Sequence, residues 1–366
     1  MPGTTDLVVL LGTPWSRLAW QNTRWRSVLQ QWAGDARFTT VSVVDFPSMS
    51  LRNLVRTRAE RIDSWDDRVT ALAGRVPVYR APSPLDALAW RMTGAALTGA
   101  LPAQGTRRVV VAATPLWAPV LRYLDADRRG FDAVDDWRAL PVAARVGGHV
   151  LRGYRAAARA DAVTTVSPEL ADRLRADFGI DGRPVPNGVD VEAYTAPLGD
   201  APPGLPEGSF AVYLGVVQQR VDVGLLAAAQ QVLPVVVAGP ADDATARQLR
   251  DLGITWLGPV GPDVVPALLR RAAVGLLPHH VNALTTSMSP MKVLEYLAAG
   301  LPVAATPVPL TVASDRIVVA SAAGYGEAVR DALAHGRLDA PDPAVRAFGW
   351  NRVAEALFSA HVNGER

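Results

Sequence analysis

The sequence predicts an α/β protein made of two Rossmann-like, doubly wound parallel sheets facing across a cleft. Short apolar runs alternate with helical stretches along the chain, the pattern of parallel strands joined by helices. The alternation breaks once, at Ala196-Pro-Leu-Gly-Asp-Ala-Pro-Pro-Gly-Leu-Pro-Glu-Gly208, a segment dense in proline and glycine that reads as a linker. It then restarts, and the 366 residues have room for two domains of ordinary size.

In the first half the runs at Leu7–Leu11, Thr40–Val44, Val109–Ala113, Phe131–Val134 and Val163–Val166 read as strands. Helical stretches separate them at Trp25–Ala33, Leu85–Leu101, Pro141–Ala160 and Pro168–Phe178. After the linker, strands are expected at Phe210–Leu214, Val235–Ala238, Ile254–Leu257, Val274–Leu277, Val303–Thr306 and Ile317–Val319. A last helix runs from about Trp350 to Val362. The expected organisation is a first domain over residues 1–190, a linker over 191–208 and a second domain over 209–345. A C-terminal helix over 346–366 is expected to pack back on the first domain.

Composition narrows the chemistry. Hydrophobic residues make up 49% and charged residues 20%, the balance of a globular protein. With no cysteine, disulfides, thiolate metal sites and cysteine nucleophiles are excluded. The start, Met1-Pro-Gly-Thr-Thr-Asp6, carries no secretory leader pattern, and no apolar run approaches a membrane span. A cytoplasmic protein is therefore expected. Residues 1–190 hold 25 arginines against 19 acids, whereas the remainder holds 12 basic against 16 acidic residues. The basic front half would suit an anionic acceptor or peripheral contact with an acidic inner-membrane face, or would simply be solvated helix surface.

Of 37 Lys and Arg residues only Lys292 is lysine. A compact ammonium and a planar guanidinium are not interchangeable, so a lone lysine in an arginine-biased chain calls for inspection. It lies in Ser289-Pro-Met-Lys-Val-Leu-Glu-Tyr-Leu-Ala-Ala-Gly300, where Ser289 reads as N-cap, Pro290 as the first helical residue and Gly300 as the stop. A helix N-terminus with free N–H groups is a ready phosphate site. Lys292 and Glu295, three apart, share a helical face, which suits a nucleoside diphosphate with ribose behind it or an ordinary surface ion pair. Tyr213-Leu-Gly215 ends another strand and leads to Arg220, which is either surface or a second cation on the same anion.

Other loops at strand ends add candidates. Pro278-His-His-Val-Asn282 has adjacent histidines that point to different sides, so no metal site is expected there, and His280 or Asn282 would touch ligand. Asp135 and Asp136 would orient a hydroxyl or cap the next helix, and Trp15 and Trp137 would offer indole faces to an acceptor. Trp20, Trp25, Trp32, Trp65, Trp90 and Trp117 are expected in the core. Gly12 follows the first strand, but neither a three-glycine dinucleotide fingerprint nor a P-loop is present. That argues against a nicotinamide dehydrogenase and an ordinary kinase.

Taken together, these segments resemble retaining, nucleotide-sugar-dependent glycosyltransferases of the GT-B fold, in the family 4 and family 1-like group. Val166-Ser-Pro-Glu-Leu-Ala171 with Val185-Pro-Asn-Gly-Val-Asp190, Tyr213-Leu-Gly215 with Arg220 and Asp222, and Pro290-Met-Lys-Val-Leu-Glu-Tyr-Leu-Ala-Ala-Gly-Leu-Pro-Val303 are similar to that group's motifs. Trp20-Gln-Asn22 and Phe131-Asp-Ala-Val-Asp-Asp-Trp137 resemble bacterial members of the teichuronic-acid type. The resemblance implies that Arg220 and Lys292 hold the donor diphosphate and that Glu295 binds ribose. It also implies that amides around Ser287, Met288 and Ser289 cradle phosphate, that Gly215 and His280 border the donor, and that Val260 borders the base. Gly12 would let the facing domain close over it, Asn187 to Asp190 would form the hinge, and Asp135 takes the place of a first-domain histidine. Where relatives carry the first of two glutamates this chain has Ser287, so donor identity does not carry over. The implied reaction moves a sugar from a nucleotide-diphosphate sugar, as co-substrate, to a small-molecule, lipid-linked or glycan hydroxyl. Retention is implied, with no metal or cofactor, and nucleic acid is not expected as a partner. A sugar-nucleotide epimerase or hydrolase, or a non-catalytic carbohydrate-binding partner, are the alternatives.

Overall fold

The computed structural model describes residues 4–18, 23–50, 52–53, 60–64, 66–77, 82–103, 105–197 and 199–365. Trp20, Gln21, Asn22 and Trp65 lie outside them. The chain divides into two compact units, Met1–Pro186 with Val353–Arg366, and Asn187–Arg352. Residues 191–208 thus group with the second unit instead of standing apart as a linker. The reason is burial: Tyr194 is sunk in that unit's core and Leu205 packs against it.

The first unit holds β1 (Thr5–Leu10), β2 (Phe38–Val44), β3 (Ser48–Met49), β4 (Val69–Leu72), β5 (Arg75–Val76), β6 (Arg107–Ala112), β7 (Arg128–Ala133), β8 (Ala162–Thr165) and β9 (Arg183–Pro184). Seven form one parallel sheet in the order β4-β2-β1-β6-β7-β8-β9, and β3 pairs with β5 separately. Leu7 faces Val109 and Val8 faces Val110 across the β1–β6 register. All of β1 is buried, as expected of a strand covered on both faces, which is why it reads as a continuous apolar run. Helices α1 (Trp15–Leu18), α2 (Arg24–Trp32), α3 (Asp86–Ala100), α4 (Ala143–Ala157) and α5 (Pro168–Phe178) occupy the connections. Helix α5 shows local sequence logic at both ends. Ser167 caps it by accepting from Leu170 N at 3.1 Å, Pro168 starts it, and Gly179 ends it at φ +67°. Strand β4 escaped sequence analysis because its four residues follow Asp66, Asp67 and Arg68 and carry no periodic signal.

The second unit holds β10 (Ala211–Leu214), β11 (Val235–Ala238), β12 (Thr255–Gly258), β13 (Val274–Leu277), β14 (Val303–Ala305) and β15 (Ile317–Val319). Its parallel sheet runs β12-β11-β10-β13-β14-β15. The connections are α6 (Val223–Gln230), α7 (Asp243–Asp251), α8 (Val265–Arg271), α9 (Met291–Ala298) and α10 (Tyr325–Ala334). The order reverses between β10 and β13, and ligands of such sheets sit beyond the carboxyl ends of the strands at that reversal. Among the described residues no helix is long and apolar enough to cross a membrane.

Helix α11 (Trp350–Phe358) and the turn Ser359–Asn363 close the chain, and from Val353 onward it belongs to the first unit. There His361 enters a buried polar network under β7 and β8. Arg24 Nε donates to Asp132 Oδ2 at 2.8 Å and its Nη2 to Oδ1 at 3.1 Å. Thr164 Oγ1 donates to Asp132 Oδ1 at 2.7 Å and lies 2.9 Å from His361 Nε2. Gly130 leaves the room, since a Cβ there would stand 2.3 Å from His361 Nδ1.

Burial pushes the His361 imidazole down to about 4, with the Arg24 and Arg128 charges adding to it and Asp132 opposing. A depressed folded-state pKa means stability is full above the unfolded value near 6.5 and is lost as pH falls towards 4. We expect urea denaturation to show a loss on the order of 2–3 kcal/mol between neutral pH and pH ~4.5 from this group. His361→Gln should flatten that slope; an unchanged acid slope would remove His361 from the account.

Candidate functional site

The site is built where the second sheet reverses. Strand β10 ends at Leu214, and Gly215 turns at φ +113°, a conformation L side chains rarely adopt. A Cβ on Gly215 would lie 3.3 Å from Lys292 Nζ and 3.4 Å from its Cε, so glycine serves twice, for the turn and for the lysine's path. Lys292 is half-buried, with its Nζ 5.2 Å from the centroid of the Tyr213 ring. Burial lowers the ammonium's pKa to about 8; the Arg220 charge lowers it further and Glu295 pulls it back up.

Arg220 is fixed by its backbone. Val221 bridges to His279, Asp222 N donates to Pro278 O at 2.8 Å, and His280 N donates to Arg220 O at 2.9 Å. The loop after β10 is thereby stitched to the loop after β13. Among the described residues neither the Arg220 guanidinium nor the Lys292 ammonium has a carboxylate within ion-pair distance, and neither donates a hydrogen bond. Two cations close enough to perturb one another thus stand without a matching anion. This is an unfavourable arrangement in the free protein, and it favours an anionic ligand.

The adjoining histidines divide as their positions in the chain imply. His279 is 1% exposed, lies 6.4 Å from Tyr213 in a T-shaped contact, and has neither ring nitrogen bonded. Burial, then the Lys292, Arg220 and His280 charges, pushes its pKa down to about 2, so it is neutral at any working pH. His280 points out, with its Nδ1 3.5 Å from Asp222 Oδ2. Asp222 also caps α6 through Gly224 N at 2.9 Å.

The start of α9 differs from the sequence expectation. Ser289 is not its N-cap: the helix begins at Met291 with Pro290 at the cap position and no side-chain cap bond. The Ser289 hydroxyl is engaged elsewhere, accepting from Asn187 N at 3.2 Å and lying 2.9 Å from Thr311 Oγ1, while Asn187 Nδ2 donates to Ser289 O at 2.8 Å. Ser287 turns inward, with its hydroxyl 3.2 Å from the carbonyls of Ala283 and Leu284 and its amide bonded to Leu284 O. The cradle therefore loses the Ser287 amide. The amides of Met288, Ser289, Met291 and Lys292 find no partner among the described residues and are available to an anion. Glu295 is half-buried one turn on from Lys292, and Val260 packs half-buried on the core cluster of Leu214 and Val293.

In the first unit the two indoles and the Asp136 carboxylate lie otherwise than expected, and Gly12 has a packing reason of its own. A Cβ on Gly12 would stand 2.5 Å from Ala113 O, so that glycine answers to the close approach of the segment after β6. Trp15 offers no exposed indole face: it is 3% exposed, and its Nε1 donates to Asp63 O at 3.0 Å. Trp137 is likewise in the core, 6% exposed and stacked 6.2 Å from Phe46. The Asp136 carboxylate neither caps a helix nor stands open, because Arg138 grips both of its oxygens at 2.8 Å. Asp135 is half-buried, and its carbonyl accepts from Tyr154 OH at 3.3 Å. The sequence placed Tyr213 in a motif and His279 in a strand-end loop but not their packing beside the lysine, because contacts across the sheet leave no local signal. Among the described residues no cluster of three or more His, Cys, Asp or Glu could hold a metal ion.

Residues 212–335 match the family model described as glycosyl transferases group 1. The second unit is a group 1 glycosyltransferase domain. Over 137 residues the chain is 27% identical to the teichuronic acid biosynthesis glycosyltransferase TuaH of Bacillus subtilis (strain 168), covering 35% of this chain. That match spans about a third, 34%, of TuaH's own length. The fold is GT-B, shared with the α,α-trehalose 6-phosphate synthase of Burkholderia multivorans at TM-score 0.61 and 12% identity, covering 100% of this chain and 99% of that one. Anabaena HepE in complex with UDP aligns at TM-score 0.57 and 12% identity over 98% and 95% of the two chains. AviGT4, of avilamycin A biosynthesis, aligns at 0.55 and 16% over 99% and 98%.

Two outcomes test the geometry of this domain. Lys292→Met removes a desolvated charge and should stabilise the ligand-free protein by about 1–3 kcal/mol at neutral pH. The wild type, but not this variant, should gain stability as pH rises above about 8, where the folded lysine has shed a proton the unfolded one keeps. Gly215→Ala should weaken binding of inorganic pyrophosphate at least ~10-fold through backbone strain and displacement of the lysine, read by calorimetric titration. Unaltered affinity would dissociate Gly215 from the site.

Proposed function

We propose that this protein transfers a sugar from a nucleoside-diphosphate sugar to an acceptor hydroxyl, with retention at the anomeric carbon and without a bound metal. One observation carries the reading: among the described residues Arg220 and Lys292 form no ion pair and the amides of Met288, Ser289, Met291 and Lys292 are unbonded, at the reversal point of a group 1 glycosyltransferase domain. Breaking the glycosidic bond of such a donor leaves negative charge on the departing diphosphate. Fixed cations and amides stabilise that charge as it grows, without reorganising. Glu295 is the ribose acceptor in this reading, and His280 and Val260 border the donor. On a front-face route the leaving phosphate takes the acceptor's proton, so no separate base is required, and Asp135 is the acceptor-side carboxylate that orients the hydroxyl. HepE was solved with UDP and UDP-glucose, and a starch synthase catalytic domain with ADP, which makes UDP and ADP sugars the first donors to try. The protein would work in the cytoplasm, at the inner membrane face.

Mass-spectrometric screening of nucleotide sugars, with and without candidate acceptors and with EDTA present, tests this directly. Glycosylated product is expected, with activity retained in chelator. Lys292→Ala and Arg220→Ala should each cut turnover by about 100- to 1,000-fold while the fold persists. Nucleotide release that is indifferent to every acceptor would instead support a hydrolase or epimerase, and near-normal turnover in Lys292→Ala would refute the site.

A further inference from the structure

The first unit carries a second cluster of unmatched positive charge, remote in sequence from the motifs above. A pocket of about 350 Å³ is lined by Trp90 and by five arginines, Arg122, Arg129, Arg152, Arg155 and Arg159. Arg152, Arg155 and Arg159 follow at i, i+3 and i+7, so they form one stripe along α4 and its C-terminal end. Two carboxylates lie near the rim: Asp86, buried and bonded to Arg152 Nη1 at 2.9 Å, and the exposed Asp161, whose Oδ2 accepts from Arg129 N at 2.8 Å. Arg129 spends its guanidinium on the carbonyls of Leu121 and Leu124, and Arg122 lies over the Tyr123 ring. Arg155 and Arg159 are exposed and have no acidic partner among the described residues.

Apolar side chains border this charge. Six large hydrophobic residues are exposed among the described residues, and three of them stand here: Leu85 at 73%, Leu88 at 57% and Leu151 at 39%. Leu85 and Leu88 flank Ala87, which lines the pocket together with Pro84, and Leu151 lies one turn before Arg155. The start of α3 and the face of α4 are pinned side by side by the Arg152–Asp86 bond and by Pro82, which would stand 2.6 Å from a Cβ at Gly148. Exposed leucines beside unmatched guanidiniums are poor surface for water but complementary to a bilayer whose headgroups are anionic.

We propose that this face seats the protein on an anionic lipid bilayer, with Leu85, Leu88 and Leu151 entering the interface and the arginine pocket receiving a lipid phosphate. The inference deepens the inner-membrane part of the reading above. Vesicle binding is read without turnover, so its failure would leave the transfer reaction standing, and failure of transfer would leave the surface standing.

Co-sedimentation of the full chain with phosphatidylcholine vesicles, and with vesicles of equal parts phosphatidylcholine and phosphatidylglycerol, is the test. Wild type should partition to the anionic vesicles and be released by salt. Arg155→Ala with Arg159→Ala should lose roughly 30-fold in partitioning, two charges at the surface. Leu85→Ser with Leu88→Ser should also weaken binding while leaving its salt sensitivity. Both variants should keep wild-type turnover with a soluble acceptor. Equal partitioning to the two vesicle types, or none to either, overturns the proposal. So does stabilisation by glycerol phosphate that depends on Arg155 and Arg159 without vesicle binding, since the pocket would then serve a free phosphate.

Discussion

A lysine held partly out of water, with no carboxylate within ion-pair distance among the described residues, is the constraint around which the second unit is arranged. The Lys292 ammonium lies above the Tyr213 ring, Arg220 repels it, and Glu295 offsets the cost only in part. Several neighbours make sense only as parts of this arrangement. Gly215 has no side chain because the lysine passes there, and His279 stays neutral because a further charge would not be tolerated in that environment. The bridge from Val221 to His279 keeps the two cation-bearing loops in register. Stability given up in the free protein would be recovered on binding an anion, a common trade between stability and function.

The first unit handles buried charge in the opposite way. Arg24, Asp132, Thr164 and His361 satisfy one another almost completely beneath its sheet. Removing one partner from such a network would leave an uncompensated buried charge, at a cost of about 3–5 kcal/mol. It anchors the C-terminal segment, since His361 fits only against a strand with glycine at position 130. The contrast is informative. One unit closes its charges, and the other leaves them open at the carboxyl ends of its strands, where a phosphate-bearing ligand is expected.

Much of this was legible in the residue pattern. Strands β10, β11, β13 and β14 of the second sheet were marked by runs of buried apolar residues, and α5 by a capping serine, a first-turn proline and a terminal glycine. Lys292, Arg220 and Glu295 stood out because charge and spacing are local properties. The expectations for Trp15, Trp137 and Asp136 went astray because a strand-end position says nothing about what fills the space beside it. Phe46 and Asp63, distant in sequence, cover the two indoles, and Arg138 takes up the carboxylate.

By itself the sequence determined the alternation of elements, the two parallel sheets and the identity of the cations, because periodicity, caps and charge are written within a few neighbouring residues. Only the tertiary structure decided which groups are spent and which are open. Ser289 was diverted from its cap by Asn187 and Thr311, His279 was buried without a partner, and arginines from three separate segments met around one pocket. Hydrogen bonds and Coulomb forces act over a few ångströms of space, whatever the distance along the chain, and only folding sets that space.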